Sequence, residues 1–203
     1  MSLKFKNDSN IIIYGCSGSG KTEFVKQVLV KRLISNFPTK IYYHYQVRQD
    51  WMDPWNKNPD NPSVQFIQGV PDVLNISDCI AIFDDLMLND LNTIAGVFVF
   101  GSHHKRISSI FITQNLYPKS DMFRLMLLNS HYLILFADIR SNRQVKLLGS
   151  QMFDKTDRLR LYNAYSSAIK EPFGFVILNF VKHLPRELTV LTNYWKEISS
   201  VYL

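Results

Sequence analysis

Cysteine is almost absent: the 203-residue chain carries two, Cys16 and Cys79. One falls in a glycine-rich stretch and the other before an apolar run, so no disulfide framework can be drawn and a reducing compartment fits best. No apolar run approaches the roughly 20 residues that a membrane-spanning helix needs. The opening MSLKFKND is followed by IIIY alone, too short for the apolar centre of a signal peptide. Internal repeats, heptads and low-complexity segments are missing too, which excludes solenoids and coiled coils. Acid is in deficit: 17 Asp and Glu against 23 Lys and Arg give a net charge of +6 and a pI near 9.3. That surplus suits a polyanionic partner without requiring one. The remainder, 46% hydrophobic and 20% charged, is ordinary for a globular chain, and its length is read as one domain, 1–203.

What is present begins with GCSGSGKT, directly after IIIY. This is the P-loop pattern G-x-x-x-x-G-K-[ST], whose glycines let successive N–H groups curl around a β-phosphate. It predicts nucleotide contact along Gly15, Cys16, Ser17, Gly18, Ser19, Gly20, Lys21 and Thr22. Lys21 is expected to reach the β- and γ-phosphates of ATP, and the Thr22 hydroxyl to ligate Mg²⁺. The bland alternative is an ordinary glycine turn. Context argues against it: Ile11–Tyr14 reads as a short buried strand, and Val25, Val28, Leu29 and Leu33 recur at helical spacing. Strand, loop and helix place the phosphates on a helix N-terminus, where unpaired N–H groups favour negative charge. Cys16 reads as a small loop filler rather than a nucleophile, although a helix N-terminus can activate a thiol.

Further along, Lys40–Tyr45, Gln65–Gln68, Cys79–Phe83, Ser109–Thr113 and Tyr132–Phe136 read as strands. Helices are expected through Leu91, Ile94, Ala95 and Phe98, and over Asp121–Leu128, Asn142–Gly149 and Asp154–Ile169. Val97–Phe100 (VFVF) competes as a strand. Asp50–Ser63 is a Pro/Asn/Asp-rich connection around two tryptophans, and Gln65–Gln68 precedes the turn-like GVPDVL. Phe173–Phe180 and Leu188–Tyr194 suggest a closing antiparallel pair. The alternation predicts an α/β fold: a P-loop NTPase of the additional-strand, RecA-like type, with a mainly parallel sheet covered by helices on both faces. Ligands in such sheets sit at the carboxyl ends of the strands.

CIAIFDDLM (Cys79–Met87) is an apolar strand ending in two acids, the Walker B shape. Asp84 is expected to hold Mg²⁺ through water and Asp85 to orient or deprotonate the attacking water. Two adjacent carboxylates repel unless a cation shares them, so a metal accounts for the pair better than a cap beside a solvated acid. SSIFITQN places Gln114 at the next strand tip, where its amide is predicted to contact the γ-phosphate and the lytic water. A strand between the P-loop and Walker B strands belongs to additional-strand ATPases; kinase and GTPase P-loop folds lack it.

Other constellations are weaker. NKNP (Asn56–Pro59) is not the guanine-reading N-K-x-D, and no L-S-G-G-Q is present. His103–His104 has no partner at zinc spacing. Tyr42, Tyr43 and Tyr45 could stack bases, but an aromatic strand is more often core. Trp51 and Trp55 are compatible with an adenine-side or subunit contact.

GSHHKRISSIFITQNLYPKSDMFRLMLLNSHYLILF (Gly101–Phe136) is the most distinctive stretch. Together with GCSGSGKT, IFDDLM and QVKLLGSQMF it resembles the genome-packaging ATPases of the FtsK–HerA superfamily. The likeness is greatest to those of virophages and Polinton (Maverick) virus-like elements, relatives of poxvirus-type packaging ATPases. The G-S-H-H-basic segment, the I-T-Q-N-L strand end and the L-N-S-H-Y strand opening carry the resemblance jointly, over residues 10–180.

The resemblance implies a homo-oligomeric ring, pentamer or hexamer, that threads double-stranded DNA into a preformed capsid at a portal-like vertex. It implies no membrane partner and a site of action inside the infected cell, in a cytoplasmic virus factory or the nucleus, or with the virion. Lys21 and Thr22 carry over as Walker A, Asp84 and Asp85 as Walker B, and Gln114 as sensor. Superfamily members often have Glu at the second acid, and Asp85 is one methylene shorter. No nuclease or DNA-gripping domain is read in the chain, so capsid docking is expected from this domain or another protein. An arginine acting on a neighbour's nucleotide is expected after the last core strand: Arg143, with Arg106 and Arg140 as competitors. Lys105 and Arg106 are candidates for DNA phosphates, with a plain solvated loop as the alternative. A small-molecule kinase is the rival reading, opposed by the lack of a lid-like Arg cluster or a pair of C-x-x-C motifs. A nucleotide switch is a third, opposed by the intact Asp84–Asp85 pair.

Overall fold

The apolar run after the first polar residues is a central strand. In the computed structural model, which describes residues 4–69, 76–86, 91–183, 185–192 and 200–201, it forms β1 (Asn10–Tyr14), buried along its whole length. Then come α1 (Lys21–Val30), β2 (Lys40–Tyr45), α2 (Met52–Trp55), β3 (Gln65–Gln68), β4 (Cys79–Asp84) and α3 (Leu91–Gly96). After a π-helical turn at Val97–Gly101 the chain makes α4 (Ser102–His104), β5 (Ile107–Thr113), α5 (Asp121–Leu128) and β6 (Tyr132–Phe136). A 3₁₀ turn at Ile139–Ser141 leads into α6 (Asn142–Met152), α7 (Lys155–Ala168), β7 (Phe175–Asn179), β8 (Val190–Thr192) and β9 (Ser200–Val201).

Among the described residues the strands make one nine-stranded sheet, ordered β3-β2-β4-β5-β1-β6-β7-β8-β9. The first six in that order are parallel. β7, β8 and β9 close the sheet in antiparallel pairings. β5 lies between β1 and β4, so the additional strand stands where the sequence puts it. Alternation splits the core in two. Ile11 and Ile13 face α1 and α2 with Phe24, Val28 and Met52, while Ile12 and Tyr14 face the other helices with Phe98, Phe123, Leu148 and Tyr165. Each fully buried aliphatic or aromatic side chain contributes roughly 1.5–3 kcal/mol, so both layers hold the sheet strongly.

The contested segments resolve by burial. Val97, Phe98 and Gly101 are buried while Phe100 is exposed, a one-sided pattern that a helical turn satisfies, and VFVF accordingly extends α3 rather than forming a strand. Asp154 is the N-cap of α7 and not part of the helix: its carboxylate accepts from the N–H groups of Thr156 and Asp157. The Asp50–Ser63 connection contains the short α2; Trp55 is core and Trp51, half-buried, packs against it. Trp55 is buried with its indole N–H on the Pro62 carbonyl at 2.9 Å, and Trp51 packs edge-on against Tyr43 and Phe66. Tyr43 and Tyr45 are buried, as expected of an aromatic strand, and Tyr42 is half-buried. Residues 70–74 of GVPDVL, Met87, and Asn193 and Tyr194 of the last expected strand lie outside the described residues. No helix among the described residues is long and apolar enough to cross a membrane.

Candidate active site

Every parallel strand delivers its carboxyl end to one edge of the sheet, and the glycine loop leaves from the middle of that edge. Gly15 admits only a hydrogen: a Cβ there would stand 2.5 Å from Ser19 Oγ and 2.7 Å from Phe136 Cβ. Its N–H donates to the Thr113 carbonyl at 3.2 Å, tying the loop to β5. Gly20 ends the loop in the left-handed region, φ 100°, and is the N-cap of α1. No side chain caps that helix, so its first-turn N–H groups keep their positive partial charge at the loop. Ser19 Oγ is buried without a hydrogen-bond partner.

Lys21 is 8% exposed and folds over the loop, its ammonium donating to the carbonyls of Gly15 at 2.7 Å and Cys16 at 2.8 Å. Burial pushes it below the usual lysine range, opposed by the carboxylates of Asp85 and Asp84. Thr22, half-buried, is the second residue of α1. Cys16 Sγ lies 3.6 Å from Ser141 Oγ, in the 3₁₀ turn that follows β6. The other thiol, Cys79, is pushed up to about 11 by burial in β4.

The acids stand on the β5 side of the loop. Asp84 closes β4, buried, and one of its oxygens accepts from the Tyr43 hydroxyl at 2.7 Å and the Gln49 amide at 3.2 Å. Burial raises it above the usual carboxylate range, Asp85 adds to the rise, and the two donors oppose it. Asp85 leaves the strand in the left-handed region, φ 56°, which turns its carboxylate out to solvent. There it meets Gln114, whose Nε2 donates to Asp85 Oδ2 at 2.7 Å. Loop, paired acids and strand-tip amide thus share one edge. The sequence does not mark Tyr43 and Gln49 as partners of Asp84: an alternating aromatic strand marks Tyr43 as core, and nothing local marks Gln49.

The candidate arginines separate. Arg143 is exposed in the first turn of α6, at the loop's edge of the sheet. Tyr14 links that turn to β1: its hydroxyl lies 2.8 Å from Ser141 Oγ and donates to Gln144 Oε1 at 2.5 Å. Arg140 forks onto Asp138 at 2.7 and 3.0 Å, and its hydrogen bonds hold that carboxyl down at about 2. Arg106 and Lys105 precede β5 and therefore lie at the opposite, amino edge. Arg106 pairs with Asp78 at 2.6 Å, and Lys105 is half-buried. His104 is exposed, and the His103 side chain lies outside the described residues.

No protein-family model and no curated protein sequence matches the chain. Solved structures do. The chain is similar to the genome packaging NTPase B204 from Sulfolobus turreted icosahedral virus 2 in complex with AMPPCP, with TM-score 0.57 and 12% identity over 87% of this chain and 95% of that one. It is similar to B204, the DNA-packaging ATPase from Sulfolobus Turreted Icosahedral Virus, with TM-score 0.55 and 13% identity over 88% of this chain and 95% of that one. A third likeness is to EssC (ATPases 2 and 3) from Geobacillus thermodenitrificans, TM-score 0.50 and 13% identity over 72% of this chain and 35% of that one. At such identities the likeness establishes the fold, that of a P-loop NTPase.

Proposed function

We propose that this chain hydrolyses ATP and uses the energy to drive double-stranded DNA into a preformed viral capsid, working as a homo-oligomeric ring in the infected cell. The observation that carries the reading is the Gln114–Asp85 hydrogen bond of 2.7 Å beside the glycine loop. It couples a neutral amide, at the tip of the strand that separates β1 from β4, to the exposed carboxylate that follows β4.

The residues present fit a nucleotide. Ser19 Oγ lacks a partner, α1 is uncapped, and Lys21 rests on two loop carbonyls that phosphate oxygens can replace. Thr22 and Asp84 would hold Mg²⁺, which when bound neutralises charge on the phosphate oxygens. Tyr43 and Gln49 fix the orientation of Asp84 for that role. Asp85 takes a proton from water as the water oxygen bonds to the γ-phosphorus and the bond to the bridging oxygen breaks, releasing ADP and phosphate. Gln114 holds Asp85 and the water in register. Lys21 stabilises the charge developing on the transferred group. Arg143 is read as the arginine that completes a neighbour's site.

Capsid packaging draws on the sequence resemblance and on the B204 proteins, one named a genome packaging NTPase and the other a DNA-packaging ATPase. ATP hydrolysis with and without long double-stranded DNA tests the motor. Stimulation by DNA is expected; a rate that ignores DNA but rises with a small-molecule acceptor sinks it in favour of a kinase, and a rate that responds to neither in favour of a switch.

A further inference from the structure

The edge that carries the loop has two sides. β5 and β4 bring Gln114 and the acids to one; β6 and β7 flank the other. A nucleotide whose terminal phosphate faces Asp85 and Gln114 must run its nucleoside toward β6 and β7. There the structure has a cavity of about 360 Å³, within the usual range for small-molecule sites of roughly 300–1,000 Å³.

Its floor is aromatic. Phe24 of α1 meets Phe136 at 5.9 Å and Phe175 at 5.0 Å, both edge-on, and Phe136 and Phe175 lie 5.3 Å apart. A fourth ring is anomalous: Phe173, between α7 and β7, is 68% exposed and has φ 53°. A bulky side chain in the left-handed region is strained, and strain that persists marks a position that other contacts over-determine. The following carbonyl, that of Gly174, accepts from the Ala137 N–H at 2.8 Å and pins this turn to the end of β6. The result sets Phe173 against the loop: a Cβ on Gly20 would stand 3.3 Å from both the Phe173 and Phe136 rings. On its polar rim the Gln27 amide donates to Glu23 at 3.1 Å, and Lys31 stands farther along α1.

We infer that this slot seats the base of the bound nucleoside triphosphate, with Phe173 as the stacking face, and that it grips a purine by its flat surface rather than by its hydrogen-bonding edge. The inference rests on the proposed nucleotide site and names the half of the ligand that the loop does not hold. An exposed ring held next to a phosphate loop has an aromatic partner of matching shape in the base, and stacking on a ring face tolerates adenine and guanine alike.

The test compares Mg²⁺-ATP, Mg²⁺-GTP and Mg²⁺-tripolyphosphate binding to the full chain and to Phe173→Ala and Phe173→Tyr. Because Phe173 is exposed, neither substitution disturbs the core. Loss of one stacking face should weaken both purine nucleotides to a similar degree, roughly 5- to 150-fold. Tripolyphosphate affinity should not move, and Phe173→Tyr should bind like the wild type. Equal ATP affinity in wild type and Phe173→Ala overturns the inference. So does an equal loss for ATP and tripolyphosphate, or a wild type that binds ATP no more tightly than tripolyphosphate. If the wild type binds neither ATP nor tripolyphosphate, the proposed function itself fails, a result distinct from all of these.

Discussion

Gln114 and Asp85 touch across adjacent strands, Nε2 to Oδ2 at 2.7 Å, and so act as one unit. Asp85→Asn should keep nucleotide binding within a few fold and lower turnover by roughly 10²–10⁴-fold, because an amide cannot take the water's proton. Gln114→Ala should cost about 10²-fold, the scale of a single lost positioning donor. Since the pair is coupled, the double variant should be no slower than Asp85→Asn alone. Steady-state ATPase assays beside nucleotide-binding titrations measure this; near-wild-type turnover by Asp85→Asn would remove it as the base.

Arg143, proposed to act on a neighbour's nucleotide, stands exposed in the first turn of α6, which Tyr14 of β1 bonds through Ser141 and Gln144. An arginine supplied in trans can add ~10³–10⁵ in rate. Arg143→Ala subunits alone should therefore be nearly inactive. Adding Lys21→Ala subunits, themselves inactive but still carrying Arg143, should restore part of the activity at mixed interfaces. Full activity of Arg143→Ala alone would eliminate the residue.

DNA affinity should not depend on sequence and should fall steeply with salt, as it does when lysines and arginines displace counterions from phosphates. Lys105→Ala and Arg106→Ala should each reduce the slope of log affinity against log salt by about 1 if these residues contact DNA. Arg106 must first leave Asp78, so Asp78→Asn should strengthen binding modestly. A flat salt plot would dismiss phosphate-driven binding.

His44 is fully buried in β2, stacked on Phe83 at 5.4 Å, and burial holds its imidazole down at about 4. The unfolded chain binds the proton near its ordinary value of roughly 6.5, so the neutral native form is favoured above that pH. The contribution is lost as pH falls from there toward 4, by about 3 kcal/mol in all. Chemical denaturation across this window should show the fall, and His44→Phe, which keeps the stack, should flatten it. An unchanged acid profile in His44→Phe would assign the loss to other groups.

The sequence by itself determined most of the strands and helices and their order, though not the short α2 or β9. GCSGSGKT, the apolar run ending in Asp84–Asp85, and the strand ending in Gln114 are signals within about ten residues, set by backbone geometry and side-chain periodicity. They sufficed for β5 between β1 and β4, and for the site lying at the carboxyl edge. Where apolar residues are dense, periodicity leaves two readings open: Leu91, Ile94, Ala95 and Phe98 repeat as a helix while VFVF competes as a strand, and one-sided burial decides for the helix.

Tertiary structure decided who touches whom. Tyr43 reaches Asp84 from 41 residues away, Gln114 reaches Asp85 from 29, and Phe173 comes to rest against Gly20 from the far end of the chain. Periodicity tells which face a side chain occupies, whereas its partner depends on the register of neighbouring strands and the paths of the turns between them. Both are fixed only when the two core layers pack. The edges of Arg106 and Arg143 follow from strand order, since one precedes β5 and the other follows β6, but only the packed chain pairs Arg106 with Asp78.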